Sequence, residues 1–381
     1  MNARQRVHDV AVVGGGVAGS ATVIALAKAG ITPIWIAPLH VNRTEVFGES
    51  LAPSARTVLA SLGLDSVLKD HRHRASNAQF SAWGSDLLVE RNAAVHLGGP
   101  GLVLDREAFD SSLAHEAQQY CERRAAIFES AAWCEGAWSL ALDKGASVEA
   151  RFVVDATGRL AAIGRRLVCV LSHDRMAAAV TRVRQRSTNV EVTRATLIEA
   201  MPDGWLYAAL LADGQMSLAY FSDPDLLPRG LRNNVDRWRN LVAGSRHVSR
   251  WLNDAGFDIV RPPSIVAAGT RWLERAAGAT GEAEPSWAAV GDAAAAMDPL
   301  SSHGLTTSLW SAARVGTAAR SWLDGDRAPL GRYSLAVAAG VRQYVEEQKW
   351  VYGQERRFSG RPFWSRRSLS EVGNGGSPLP Q

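Results

Sequence analysis

Residues Gly14-Gly15-Gly16-Val17-Ala18-Gly19 follow the pattern G-x-G-x-x-G. Each glycine of that pattern has its own job. Gly14 permits a tight turn, Gly16 lets a pyrophosphate approach the backbone, and Gly19 lets the next helix pack close to the preceding strand. The chemistry is anion binding, by free N–H groups and the dipole at a helix start. Other residues suited to a charged ligand stand far off in the chain: Arg106 in Asp105-Arg106, and Asp292 in Gly291-Asp292-Ala293-Ala294. His303, in Asp298-Pro299-Leu300-Ser301-Ser302-His303-Gly304, is a group that titrates near neutrality. Alone, Asp292 also reads as a helix N-cap and Arg106 as a surface ion pair. One expected feature is missing. The strand predicted over 32–36 should end in an acidic residue for the ribose hydroxyls, and Ala37-Pro38 stand there.

These residues need elements to hold them. Val10 to Val13 is an uncharged, β-rich run, as a buried central strand requires. A helix is predicted over Ser20 to Lys28, closed by Gly30. A short helix is expected from Ala52 to Leu62, ending at Gly63, and extended segments over 78–105. A helix is predicted from Phe109 to Arg123, and two or three short strands over 125–150. Arg151 to Gly158 (RFVVDATG) repeats the buried strand followed by a glycine turn. Residues 166–223 alternate, as in Ser217-Leu218-Ala219-Tyr220-Phe221, which predicts an antiparallel sheet. Pro224 to Ala255 reads as mostly helical. Trp287 to Val290 is a last buried strand, and Leu305–Trp322 and Arg332–Trp350 are long helices. The tail from Gly373 is rich in Gly, Pro and Ser and is expected to be disordered.

The 381 residues suffice for one large α/β fold with an inserted part. A composition of 46% hydrophobic and 21% charged residues is ordinary for a globular protein with a sizeable core. No stretch of 18 apolar residues and no apolar N-terminal segment occur, so neither a membrane span nor a secretory signal is expected. Cys121, Cys134 and Cys169 lack metal-ligand spacing, and a reduced, cytoplasmic protein without a metal is the expectation. The net charge of +4 comes from dispersed arginines without a basic stripe, which argues against nucleic-acid binding.

Taken together, the glycine loop, Asp105-Arg106, Asp155-Ala156-Thr157-Gly158-Arg159, Gly291-Asp292-Ala293-Ala294 and Asp298 to Gly304 resemble the single-Rossmann flavoprotein monooxygenase superfamily. The resemblance implies an α/β fold: an FAD-binding Rossmann-like (p-hydroxybenzoate hydroxylase-like) domain with an inserted antiparallel-sheet substrate domain and C-terminal helices. It divides the chain into FAD-binding pieces 1–75, 101–165 and 271–325, and substrate pieces 76–100 and 166–270. A C-terminal helical region, 326–372, and the tail, 373–381, follow. It also implies that Asp292 bonds the ribityl and pyrophosphate region and that Arg106 contacts FAD. The backbone from Ser302 through Gly304 to Leu305 is implied to approach the flavin ring. FAD carries two phosphate charges, which N–H groups, a helix start and an Arg suit.

Phe47-Gly48-Glu49-Ser50-Leu51-Ala52-Pro53 resembles the G-E-S/T-x-x-P segment of flavin-dependent tryptophan halogenases and their hydroxylating relatives. Two departures argue against halogenation. The halogenase W-x-W-x-I-P motif would fall at Trp205-Leu206-Tyr207-Ala208-Ala209-Leu210, where only the first Trp is kept. The lysine that engages hypohalite should lie around Asn77 to Trp83, and NAQFSAW has none. Tyr352, Glu355, Arg356, Arg357 and Pro362-Phe363-Trp364-Ser365-Arg366-Arg367 resemble the C-terminus of flavoproteins that mature protein-derived quinone cofactors. Examples serve quinohemoprotein amine dehydrogenase and the lysine and glycine oxidases. A plain amphipathic closing helix is the structural alternative.

This resemblance implies a monooxygenase that hydroxylates an aromatic substrate through a flavin C4a-hydroperoxide, with O₂ as co-substrate. The substrate would be a tryptophan side chain in a partner polypeptide. Electrons would come from NAD(P)H directly or through a separate flavin reductase, since no second G-x-G-x-x-G is present. His303 is the first candidate base, or else a residue bonding backbone or FAD, and Glu49 is the second, or else a brace of the flavin loop. Trp205, Tyr207 and Phe221 either line the substrate pocket or fill the core. Rival expectations are a halogenase, an isoprenoid reductase and a non-catalytic flavin-bearing chaperone.

Overall fold

The computed structural model describes residues 6–39, 50–76, 78–92, 101–134, 136–187, 190–278 and 284–368. Glu49, with Phe47 and Gly48, lies outside the described residues, as does the tail from Gly373.

Five strands make a parallel sheet, in spatial order Glu122–Arg124, Ile34–Ile36, Val7–Val13, Ser147–Asp155 and Trp287–Ala289. All but the edge strand Glu122–Arg124 have apolar buried cores, as strands covered on both faces must. The Ser147–Asp155 strand does double duty. Its C-terminal half pairs in parallel with Trp287–Ala289, and its N-terminal half pairs antiparallel with Ala137–Leu142. The expected break near residue 150 is therefore absent: one nine-residue strand replaces two. The predicted Phe109–Arg123 helix is also corrected. It runs Arg106–Gln118, because Asp105 caps it by accepting the Ala108 N–H at 2.9 Å. Residues Glu122–Arg124 instead form the edge strand beside Ile34–Ile36.

The first helix, Val17–Lys28, is buried at every position from Val17 to Leu26. Small residues allow this. At Gly14 the φ is +125°, and a Cβ would lie 2.2 Å from the Ala156 carbonyl oxygen. A Cβ on Gly19 would lie 2.0 Å from the Gly14 oxygen. On the far side, the helix Gly304–Leu323 presses Gly316 against the backbone of Ala25, where a Cβ would find the Ala25 carbon at 2.8 Å. Gly30 ends the first helix as expected: its N–H bonds Ala27 and the Ile31 N–H bonds Leu26, a paired motif that takes up the last carbonyls.

The second large sheet runs Phe257–Asp258, Ala177–Gln185, Met216–Ser222, Gly204–Leu210, Ala195–Met201, Ala78–Ala82 and Val89–Asn92, with Ser264–Ala267 also on Ala177–Gln185. It is antiparallel except between Ala195–Met201 and Ala78–Ala82. Period-two alternation divides its side chains. Leu206, Ala208, Leu218 and Tyr220 pack on the helices Val235–Ala243 and His247–Asp254. Trp205, Phe221, Ala178 and Val180 face the C-terminal residues Tyr352, Phe363 and Trp364. Buried Glu199 ties sheet to helix, accepting the N–H groups of Arg246, His247 and Val248 at 2.6, 2.9 and 2.8 Å. Among the described residues, no helix is long and apolar enough to cross a membrane.

The close approach of the first helix is testable. Gly19→Ala should cost about 1–3 kcal/mol, read as a lower denaturant midpoint, because the new methyl has only backbone to push on. Gly331→Ala, at an open position in the Ala328–Gly353 helix, should instead stabilise by about 0.5–1 kcal/mol.

Candidate functional site

A cavity of about 470 Å³ opens where the parallel strands end against the second sheet. The start of the first helix supplies Gly16, Val17 and Ala18 to its wall. Their N–H groups belong to the turn that no intrahelical carbonyl satisfies, and no side chain caps Gly16. The turns after the next two central strands add Ala156, Gly158, Arg159 and Asp292. The start of the Gly304–Leu323 helix adds Ser302, Gly304, Leu305 and Ser308. Ser302 takes φ +54°, a left-handed conformation that costs a non-glycine residue energy and turns the chain into that helix.

One end of the cavity is charged. Arg159 spans it, donating to the carbonyl oxygens of Gly269 at 2.7 Å and Met297 at 3.3 Å, with Nε 3.7 Å from Asp292 Oδ2. Burial works against the Arg159 charge, and the adjacent Asp292 supports it. Burial likewise pushes the Asp292 carboxyl above its ordinary range, while Arg159 and then Arg106 pull it back. The part of Asp292 that stays exposed, 39% of its side chain, opens on the cavity it lines. Arg106 also lines the wall and is paired along its own helix with Asp110 at 3.3 Å. Asp155 plays a supporting part. Its Oδ1 accepts the Thr157 N–H and hydroxyl, and its Oδ2 accepts the N–H groups of Ile163 and Gly164. It thereby shapes the turn that presents Arg159.

The other end is aromatic. Trp205 and Phe221 stack with ring centroids 3.9 Å apart and planes 18° apart. Tyr207 stands on the same strand two residues on, on the same face, and its hydroxyl meets Ser50 Oγ at 3.2 Å. Val266, Ala267 and Pro299 complete an apolar surround.

The structure brings most of the expected residues together. Gly16, Arg106, Asp292, Ser302, Gly304, Leu305, Trp205, Tyr207 and Phe221 line this one cavity, and Gly14 and Gly19 shape the turn beneath it. His303 is exposed at the start of its helix and is not among the lining residues. Arg159 and Ser50 were present in quoted motifs but carried no assigned role. Arg159 could have been found as a cation just after a glycine turn, the position that meets a ligand at a strand end. No lysine lines the cavity, and no cluster of three metal-ligating side chains occurs among the described residues. A second cavity of about 360 Å³ lies beyond the sheet, lined by Phe80, Leu88, Val192 and Trp251 among others, and contains none of the expected residues.

No family model matches the chain. The putative FAD-dependent oxidoreductase LodB of Marinomonas mediterranea is 23% identical over 373 residues, 94% of this chain and 96% of LodB. Among solved structures, the peptidyl tryptophan dihydroxylase QhpG, essential for tryptophylquinone cofactor biogenesis, aligns with TM-score 0.76 and 24% identity. The alignment covers 96% of this chain and 80% of QhpG. The flavin-dependent halogenase CmlS aligns with TM-score 0.82 and 22% identity over 96% of this chain and 68% of its own. The myxobacterial chondrochloren halogenase CndH reaches TM-score 0.84 at 19% identity, over 96% of this chain and 87% of its own.

The raised Asp292 carboxyl makes a signed prediction. Ionising a group whose folded pKa lies above its unfolded value costs stability at neutral pH, and that cost vanishes as pH falls through the ordinary aspartate range. Asp292→Asn should therefore raise the melting temperature of the ligand-free protein at pH 7. The gain should shrink as pH falls and be gone by about pH 3, below the ordinary aspartate range, which melting curves across that range would check.

Proposed function

We propose that this chain, which has the fold of the FAD-dependent monooxygenase and halogenase-like superfamily, is an FAD enzyme that hydroxylates a tryptophan side chain in a partner polypeptide. The observation that carries the reading is one cavity with two unlike ends. A helix start and two arginines suit a diphosphate, and an aromatic wall suits a flat ring. The glycine cradle fits the cofactor: the N–H groups at Gly16 to Ala18 reach the cavity only because Gly14 and Gly19 carry no side chain. QhpG acts on a peptidyl tryptophan, which supports the finer part of the proposal.

FAD, once bound and reduced, supplies activated oxygen from O₂. The chain does the rest. Gly16 to Ala18, Arg159 and Arg106 would hold the diphosphate, and Asp292 would accept hydrogen bonds from ribityl hydroxyls. The helix start from Ser302 to Leu305, which lines the cavity, would hold the ring system. Trp205, Phe221 and Tyr207 orient the substrate ring and exclude water, which protects the reactive oxygen from wasteful loss. The ring proton must leave when the C–O bond forms. His303, exposed one residue before the Gly304–Leu323 helix whose start lines the cavity, is the candidate to receive it. Electrons arrive from NAD(P)H, directly or through a separate flavin reductase.

Halogenation is the competing reading, favoured by the fold likeness to CmlS and CndH. Against it stands the cavity lining, which among the described residues contains no ammonium group to hold an activated halogen.

Mass spectrometry of a tryptophan-containing partner peptide and of free tryptophan, after incubation with FAD, a reductant, O₂ and chloride, separates these readings. One or two oxygens gained on the peptide alone is the expected result. Chlorinated product would establish the rival, and no change on either substrate would remove the proposed activity. His303→Gln should lower hydroxylation by about 10²–10⁴-fold at unchanged FAD binding if it takes the proton. A loss under threefold would assign that proton to solvent.

A further inference from the structure

Asp298 is 1% exposed and immediately precedes the turn Pro299–Ser301. Its Oδ1 accepts the Leu300 N–H at 2.8 Å, which pins the turn leading to Ser302 and the helix start on the cofactor side. Its Oδ2 accepts the Tyr352 hydroxyl at 2.6 Å and the Gln348 amide at 2.8 Å. The Tyr352 oxygen in turn accepts the indole N–H of Trp205 at 3.0 Å. The two ends of the cavity are therefore joined through a single carboxylate.

The side chains around Tyr352 are mostly apolar, with the buried Arg367 guanidinium 5.7 Å from its ring centroid. Met176, Phe363, Trp364 and Trp83 pack around Tyr352, with Trp83 and Tyr352 ring centroids 5.6 Å apart. A phenylalanine at 352 would fill the space but take the acceptor from the buried Trp205 N–H and a donor from buried Asp298. A buried polar chain of this kind is worth keeping when it specifies one geometry.

We infer that Asp298 and Tyr352 are positioning residues that lock the Trp205 indole as the substrate wall and set its place relative to the cofactor-side turn. The inference rests on the proposed function for what occupies the cavity. With its N–H spent on Tyr352, Trp205 offers the substrate ring carbon rather than a hydrogen-bond donor. The site then selects an aromatic ring by shape and stacking, and polar recognition falls to Tyr207 and Ser50 on the same face of the sheet.

The test uses the full chain labelled with 5-fluorotryptophan, with the Trp205 ¹⁹F line assigned by its loss in Trp205→Phe. Tyr352→Phe should shift that line. In the FAD-loaded enzyme it should raise KM for the tryptophan-containing peptide about tenfold, at unchanged FAD affinity. Asp298→Asn should shift the line in the same sense and, by loosening the turn, also weaken FAD binding. In a Trp205→Phe background, Tyr352→Phe should change KM no further, which a general loss of packing would not reproduce. An unmoved Trp205 line in Tyr352→Phe, or equal KM effects with and without Trp205, would overturn the inference. A shifted line in a parent enzyme that oxidises no peptide would leave the clamp standing and remove the proposed function instead.

Discussion

How near the first helix can come to its neighbours governs everything else in this structure. The helix touches the Gly14 turn at one end and the Gly304–Leu323 helix along its length, and glycine stands at each contact where a methyl would meet backbone. Gly291 joins them, since a Cβ there would lie 2.8 Å from both Ala18 Cβ and Ser308 Oγ. Three loops thereby meet within one side-chain diameter: the glycine turn, the turn after the mid-chain strand, and the Gly291-Asp292 turn. Their meeting point is the charged end of the cavity. Any side chain inserted there would move the helix start, and with it the N–H groups that face the cavity.

The aromatic end obeys a different constraint. Both faces of the second sheet are covered, one by the helices Val235–Ala243 and His247–Asp254 and the other by the C-terminal segment. Coverage on that second face is not purely apolar. Arg367 is buried against Asp223 at 2.6 Å and lies over the Phe363 ring, 3.8 Å from its centroid. Buried Glu355 accepts the Gly84 N–H at 2.7 Å and pairs with Arg357. Breaking such pairs from one side leaves a charge stranded, so the segment from Tyr352 to Arg367 is held in one register. It closes over Trp205 and Trp83 and completes the back of the aromatic wall.

Much of the charged end was legible in the sequence, and for a physical reason. Its signals are local. Gly14, Gly16 and Gly19 declare the turn within six residues, and Asp292 follows its strand directly. The strands that carry these turns are short apolar runs, readable because both faces are buried. What was misread was also local competition. The helix expected from Phe109 starts at Arg106 because Asp105 caps it, and it stops before Glu122 because Ile34–Ile36 recruits Glu122–Arg124 as an edge strand. A partner 88 residues away leaves no trace in the helical periodicity. Trp205, Tyr207 and Phe221 were recognisable as aromatics on alternating strands, yet their burial alone could not separate wall from core. Arg159 stood in plain view after Gly158. Its reach to Gly269 and Met297, and so to Asp292, depends on strands that meet it only in the fold.

The division between local and distant signals explains why fold likeness runs across both hydroxylating and halogenating enzymes. The charged half is built from backbone turns and glycines, and backbones superpose with TM-scores of 0.76–0.84 at 19–24% identity. The aromatic half is built from side chains brought from four stretches of the chain: Ser50, Trp205 with Tyr207, Phe221 and Tyr352. None of these changes the backbone path, so superposition is blind to them. The choice of reaction must therefore be sought in what faces the substrate ring. Here that surface presents stacked rings, a hydroxyl pair and an indole whose N–H is turned inward. It presents no ammonium group among the described residues. A rigid aromatic wall of this kind excludes water and aligns a flat ring, two of the requirements of the proposed hydroxylation.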